Sequence, residues 1–248
     1  MNSVSVLTVS LNNNLAKYVI KSFEKFKPKD LNINYIVVEN TNSTQFKDEI
    51  CSAHDNITWV SNPNSLEPSW SHASGLQVGL DYVKDDWVFI CDSDTVVVSE
   101  TFFKEFFNKT DEGFNCIGVA SHPGFNTVHL TGSLVKTELA KKIDLNPYRG
   151  DDGKFYDTGS KLTFEIENHF IFRNTWNDYS LVDIINEPYK SWGKDCGIDR
   201  CLDSNNNVMF LHLGRGTAKF GNLYQKNGKK TYKNWVDFVT TEVLCEKI

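Results

Sequence analysis

The sequence predicts an α/β/α sandwich built on a mainly parallel central sheet. Short runs rich in β-branched residues alternate with helix-length amphipathic segments through the first half of the 248-residue chain. One of those runs, WVFIC at 87–91, is apolar throughout, as in a strand covered on both faces. The element order β-α-β-(α)-β-α-β joins parallel strands by crossovers, which lay helices on both sides of the sheet.

Residues 4–9 (VSVLTV) form the first predicted strand. Residues 15–26 follow, with Leu15, Val19, Ile20, Phe23 and Phe26 on one helical stripe. INYIVV at 33–38 predicts the second strand and ITWV at 57–60 a short third. Residues 71–83 set Ala73, Leu76, Leu80 and Val83 on one helix face, and the fourth strand at 87–91 comes next. Beyond it the pattern is less regular. Residues 101–107 predict a helix carrying Phe102, Phe103, Phe106 and Phe107. Strands are expected at 116–121, 128–135, 181–185 and 208–213, and a helix at 161–172. Residues 146–158, 205–207 and 214–230, rich in Gly, Asn, Asp or Lys, read as loops. No repeat or linker divides the chain, so a single domain over 1–248 is expected.

Composition narrows the function classes. Apolar residues make up 40% of the chain, with 17 Phe, 9 Tyr and 6 Trp, enough for a sizeable core. The net charge of -6 gives no general attraction to nucleic acid or anionic membrane, which leaves only a local basic patch for such partners. MNSVSVLTVSLNNN has neither a basic start nor a long apolar run, and no stretch approaches ~18 uninterrupted apolar residues. No signal peptide and no membrane span are therefore expected. The six cysteines lack paired metal-ligand spacing and read as reduced core thiols, the usage of a cytoplasmic protein.

The chemistry concentrates at Asp92 and Asp94. Both follow an apolar strand directly, where an unpaired buried carboxylate costs several kcal/mol and a like charge nearby adds to the cost. In extended geometry residues two apart point the same way, so both acids can converge on one hard cation such as Mg²⁺ or Mn²⁺. The plainer alternative is a solvated Asp-Ser-Asp turn. Ligands of open α/β sheets bind outside the carboxyl ends of the strands, where this pair lies.

These pieces resemble the GT-A class of nucleotide-sugar glycosyltransferases, near glycosyltransferase family 2. The resemblance rests on VSVLTVSLNNN, NYIVVENTNS, SHASGLQVGLDYV and WVFICDSD, which matches the D-x-D motif; it covers residues 4–135 and weakens beyond. It implies a GT-A (Rossmann-like) fold, with 1–135 binding a nucleotide-sugar donor and 136–248 supplying the acceptor side and a C-terminal loop. It also implies Mn²⁺ or Mg²⁺, with a UDP-sugar taken as donor on commonness alone. Ser10, Asn12 and Glu39 would hold the nucleoside, and His72 would face the diphosphate. Asp92 would bind ribose or metal, and Asp94 and His212 would ligate the metal. Arg215 and Lys219 would pair with the diphosphate across a glycine-containing loop. Asp157, in YDTGSKLTFEI, matches the position of the catalytic base. The usual acidic pair is broken there by Tyr156, and Asp151 and Asp152 are rivals. HLTGS at 129–133 would line the acceptor side. Structural readings stand beside these: Asn12 to Asn14 as a helix entry, Asp157 as a helix cap and His212 as a core histidine.

The expected reaction is transfer of a sugar to an acceptor hydroxyl, on a glycan or, as an alternative, on a modified DNA base as in phage-type enzymes. For the latter, Lys226, Lys229, Lys230 and Lys233 interleave with Tyr224, Tyr232 and Trp235. A nucleotidyltransferase or a non-catalytic nucleotide-sugar binder is the third reading, although SLNNNLAKY lacks a glycine-rich, basic signature after the first strand.

Overall fold

The first strand, β1 (Ser3–Ser10), lies inside the sheet, flanked by β2 (Asn32–Glu39) and β4 (Trp87–Asp92), both parallel to it. The computed structural model describes residues 1–192, 198–214 and 228–246. The other strands described are β3 (Ile57–Ser61), β5 (Thr95–Val97), β6 (Cys116–Ala120), β7 (Val128–Lys136), β8 (Tyr148–Arg149), β9 (Phe155–Tyr156), β10 (His169–Asn174), β11 (Asp199–Leu202) and β12 (Val208–His212). The helices are α1 (Leu15–Phe26), α2 (Lys47–Cys51), α3 (Pro68–Leu80), α4 (Thr101–Asp111), α5 (Thr137–Ala140), α6 (Lys161–Glu165) and α7 (Gly228–Phe238).

Ten of the described strands form one sheet in the order β3-β2-β1-β4-β7-β6-β10-β11-β12-β5. Only β7, β11 and β5 run against the other seven, so the sheet is mainly parallel, as predicted. Strand β5 follows β4 in the chain after Ser93 and Asp94, yet it is last in the order. The β10-β11-β12-β5 end must therefore curl back to the tip of β4.

Period-two alternation divides the core. Val4 and Val6 of β1 join Ile33, Tyr35 and Val37 of β2 under α1 and α4 on one face. Leu7 and Val9 join Ile36 and Val38 under α3 on the other. Helix α3 lies close because Gly79 has no side chain: a Cβ there would sit 2.3 Å from Leu7 Cδ1. On the first face, Phe102 of α4 packs at 4.7–5.6 Å between ring centroids on Phe23, Phe89, Phe103, Phe106 and Phe210. This aromatic cluster joins α1 and α4 to β4 and β12.

Several sequence expectations are corrected. The helix predicted at 161–172 stops at Glu165. Ile166 turns extended, and the β-favouring run HFIFRN enters the sheet as β10, parallel to β6. The strand predicted at 181–185 is a 3₁₀ helix, Tyr179–Ile184, started by Asp178, whose side chain accepts from the Ser180 N–H. The predicted loop at 146–158 contains the β8–β9 hairpin, with Tyr148 stacked on Tyr156. Of the predicted loop at 214–230, residues 215–227 lie outside the described residues, and α7 begins at Gly228. Among the described residues, no helix is long and apolar enough to cross a membrane.

Candidate active site

The register of two strands assembles the site. Strand β4 carries Asp92 to the carboxyl edge of the sheet, and Ser93 and Asp94 turn the chain into β5. Strand β12 runs antiparallel to β5 with His212 opposite Thr95, and the Leu213 N–H donates to the Asp94 carbonyl at 3.1 Å. His212 Nε2 consequently lies 3.3 Å from Asp94 Oδ1 and 3.4 Å from Asp92 Oδ2. One ligand atom from each of the three residues falls within 4.8 Å of the others. Asp94 is 5% exposed and His212 6%, so this is no solvated turn.

Further groups orient this core. Strand β11 pairs with β12 so that Asp199 faces His212, with its Oδ2 3.6 Å from His212 Nδ1. His72, in the first half of α3, brings Nε2 within 3.5 Å of Asp92 Oδ1. Asn40 anchors that part of the helix by donating to the Ser71 carbonyl at 2.6 Å. The Thr131 hydroxyl donates to Asp92 Oδ2 at 3.4 Å. His129 Nδ1 lies 3.2 Å from the Thr131 backbone nitrogen and is also in contact with the Thr131 hydroxyl.

The charges interlock. Burial alone would raise the Asp92 pKa, but the His212 hydrogen bond and the nearby imidazoles depress it far below the usual carboxylate range. Burial alone would lower the His212 pKa, but Asp94, Asp199 and Asp92 hold it well above the usual range. His129 is lowered, chiefly by burial, against the opposing pull of Asp92.

These side chains border a cavity of about 530 Å³. Four of the six histidines of the chain line it, His72, His122, His129 and His212, together with Asp92, Asp94, Asp157 and Asp199. Among the described lining residues there is no Lys or Arg.

Of the residues singled out from sequence, Asp92, Asp94, His212, His72 and Asp157 meet here. Asp152 does not border the cavity: it sits exposed in the β8–β9 turn and accepts from the Tyr156 hydroxyl at 3.0 Å. Ser10 is fully buried, with its hydroxyl donating to the Asn13 carbonyl at 3.4 Å. Glu39, 3% exposed, accepts from the Asn12 N–H at 3.0 and 3.1 Å, from the Thr41 N–H at 2.9 Å and from the Thr41 hydroxyl at 2.7 Å. Asn12 has a left-handed φ of 49°. Glu39 thus clasps the β1–α1 turn, and it is Leu11 of that turn that reaches the cavity. Glu39→Ala is expected to lower stability by about 1–3 kcal/mol by stranding these donors, read by urea unfolding. An unchanged midpoint would refute the clasp. Arg215 and Lys219 lie outside the described residues. Sequence reasoning missed Asp199, His122 and Trp176, because only the pairing of β11 with β12 and the meeting of the 122 and 176 segments bring them in.

Several solved structures match part of this chain. A mannosyltransferase from Pyrobaculum calidifontis, in complex with GDP-Man and Mn²⁺, matches 56% of this chain and 46% of its own, with 16% identity and a TM-score of 0.45. Glucosyl-3-phosphoglycerate synthase from Mycobacterium tuberculosis, in complex with phosphoglyceric acid, matches 69% and 70%, with 18% identity and a TM-score of 0.47. A 4-diphosphocytidyl-2C-methyl-D-erythritol synthase from Anaerococcus prevotii also matches, over 68% of this chain and 86% of its own, with 12% identity and a TM-score of 0.46. The chain spans about half the length of the mannosyltransferase. No family model matches the sequence. No curated protein matches it either.

Proposed function

We propose that this protein is a metal-dependent glycosyltransferase that moves a sugar from a nucleotide-diphosphate donor to an acceptor hydroxyl. The observation that carries this is the Asp92-Asp94-His212 group, with Asp94 and His212 buried, at the wall of a cavity whose described lining holds four aspartates and no Lys or Arg. An anionic diphosphate is repelled by such a wall unless a cation stands between them. Two carboxylates with one imidazole fit Mn²⁺, or Mg²⁺ with water completing its shell. Held there, the cation would supply Lewis-acid stabilisation of the charge growing on the diphosphate.

The residues of the chain divide the remaining work. Asp199 fixes the His212 ring through Nδ1, which leaves Nε2 for the cation. Pro68 and Ser69, at the start of α3, border the cavity, so its helix dipole favours a phosphate oxygen. Arg215 and Lys219 are assigned to the diphosphate, and Ser10, Asn12 and Glu39 to fixing the Leu11 wall on the nucleoside side. Asp157, exposed at the same cavity, is assigned as the base in preference to Asp152. The acceptor oxygen bonds to C1, the C1–O bond to phosphate breaks with its electron pair going to the diphosphate, and the hydroxyl proton passes to Asp157.

A thermal-shift panel of UDP-, GDP-, CMP- and dTDP-sugars with and without Mn²⁺ tests this. Joint stabilisation by one donor and the metal is expected, and full turnover in EDTA would overturn the reading. The metal response should also depend on pH. The raised pKa of His212 makes its stabilising contribution to the metal-free fold complete below about pH 6.5, and that contribution is lost as pH rises through the folded value. The depressed pKa of Asp92 contributes stability above about pH 3.9, lost as pH falls. Mn²⁺ has to displace the His212 proton, so its stabilisation should be larger at about pH 8.5 than at about pH 6. Equal melting shifts at both values would contradict that competition.

A further inference from the structure

The cavity has a second wall that the donor and cation leave unexplained. Trp176 lines it and is 36% exposed, although its neighbours in the chain are firmly tied. Asn174 donates to the Ala120 carbonyl at 2.6 Å, and Asn177 donates to the Ser121 carbonyl at 3.0 Å. The Thr175 hydroxyl accepts the Arg200 N–H at 2.9 Å. The indole itself is flanked by two imidazoles, His122 at 5.1 Å and His129 at 5.3 Å between centroids, both near perpendicular to it. A large apolar ring is thus held open to the cavity, on a backbone with little freedom left to lose. Asp157 borders the same space.

We propose that Trp176 is the platform of an acceptor subsite, and that the occupant is an uncharged sugar lying with its ring face on the indole. This deepens the transferase reading and rests on it. A pyranose presents one face of C–H groups, slightly positive, and a rim of hydroxyls. The indole face carries the complementary negative quadrupole, and surrounding imidazole and carboxylate edges suit the rim. The charge of the site selects against acceptors that bring phosphates. Asp157 stands on this wall, Asp92, Asp94 and Asp199 stand close by, and the described lining has no Lys or Arg to offset them. With the cation, Arg215 and Lys219 committed to the donor diphosphate, a sugar phosphate or a DNA duplex would meet these carboxylates uncompensated, whereas a neutral glycoside does not.

The test is calorimetric titration of the wild type, Trp176→Phe and Trp176→Ala, without donor. The probes are methyl hexopyranosides, the same sugars as 6-phosphates, and a short DNA duplex carrying hydroxymethylated bases. Neutral glycosides should bind the wild type, persist within a few-fold in Trp176→Phe, and weaken roughly tenfold or more in Trp176→Ala. The Mn²⁺-dependent melting shift with nucleotide sugar should remain in both variants, which shows them folded. Preference for the phosphates or the duplex, unchanged binding in Trp176→Ala, or no glycoside binding to the wild type would each overturn the subsite. Glycoside binding that depends on Trp176, in a protein that binds no nucleotide sugar, would keep the subsite and defeat the transferase reading.

Discussion

Replacing Asp94 by Asn should cut sugar transfer by a factor on the order of a thousand while the chain stays folded. The carboxylate is 5% exposed and lies 3.3 Å from His212 Nε2, so it has little solvent to share its charge with. The amide keeps the shape and removes the charge. Metal affinity should fall with it, because a neutral carbonyl oxygen is a poorer ligand than a carboxylate in a site of three protein donors. A second readout separates this from a general structural effect. The Asp94 charge is the foremost influence holding the His212 imidazole above its usual range, so that ring should titrate lower in the variant, followed by NMR in metal-free protein. Wild-type Mn²⁺ dependence and turnover in Asp94→Asn would remove this carboxylate from the proposed centre.

The largest loss of stability is expected from Phe102→Ala, about 3–5 kcal/mol. Phe102 is fully buried and touches five other phenylalanines, so no neighbour can relax far enough to fill the space. Two of its partners matter for the site as well. Phe89 lies three residues before Asp92 on β4, and Phe210 lies two before His212 on β12. The variant should therefore weaken metal binding beyond its loss of stability, although it touches no ligand. Urea unfolding with an unchanged m-value would measure the first effect and Mn²⁺ titration the second. A cost below about 1 kcal/mol would mean that the cluster is loosely packed.

What the sequence disclosed follows from how local each signal is. Strands β1 and β2 are rich in β-branched residues, β4 is a near-continuous apolar run, and α1 shows a clean stripe, so the parallel half was legible from local pattern. Asp92 and Asp94 stood out because a charge directly after WVFIC is costly without a partner. His212 was legible only through family resemblance; the pairing of β12 with β5 supplies its geometric reason. The failures lie where local preference and tertiary context conflict. HFIF at 169–172 reads as a helix continuation until β6 offers it a ladder, and LVDII at 181–185 reads as a strand until Asp178 caps a 3₁₀ turn. Glu39 shows another limit: a polar residue at a strand end looks the same in sequence whether it serves a ligand or the backbone N–H groups of a neighbouring turn. Asp199 and Trp176 carried no signal, since neither sits in a motif and both acquire meaning only from their neighbours in space.

The hairpin-like return of β12 onto β5 has a consequence for assembly. The acid pair lies early in the chain, at the tip of β4 between parallel β1 and antiparallel β7, whereas the imidazole arrives on β12, the last described strand along the chain. A cation gripped by all three would buckle the curled end of the sheet to the tip of β4. Occupancy would then report completed topology, and a half-folded chain could offer the ion no more than two acids in open water.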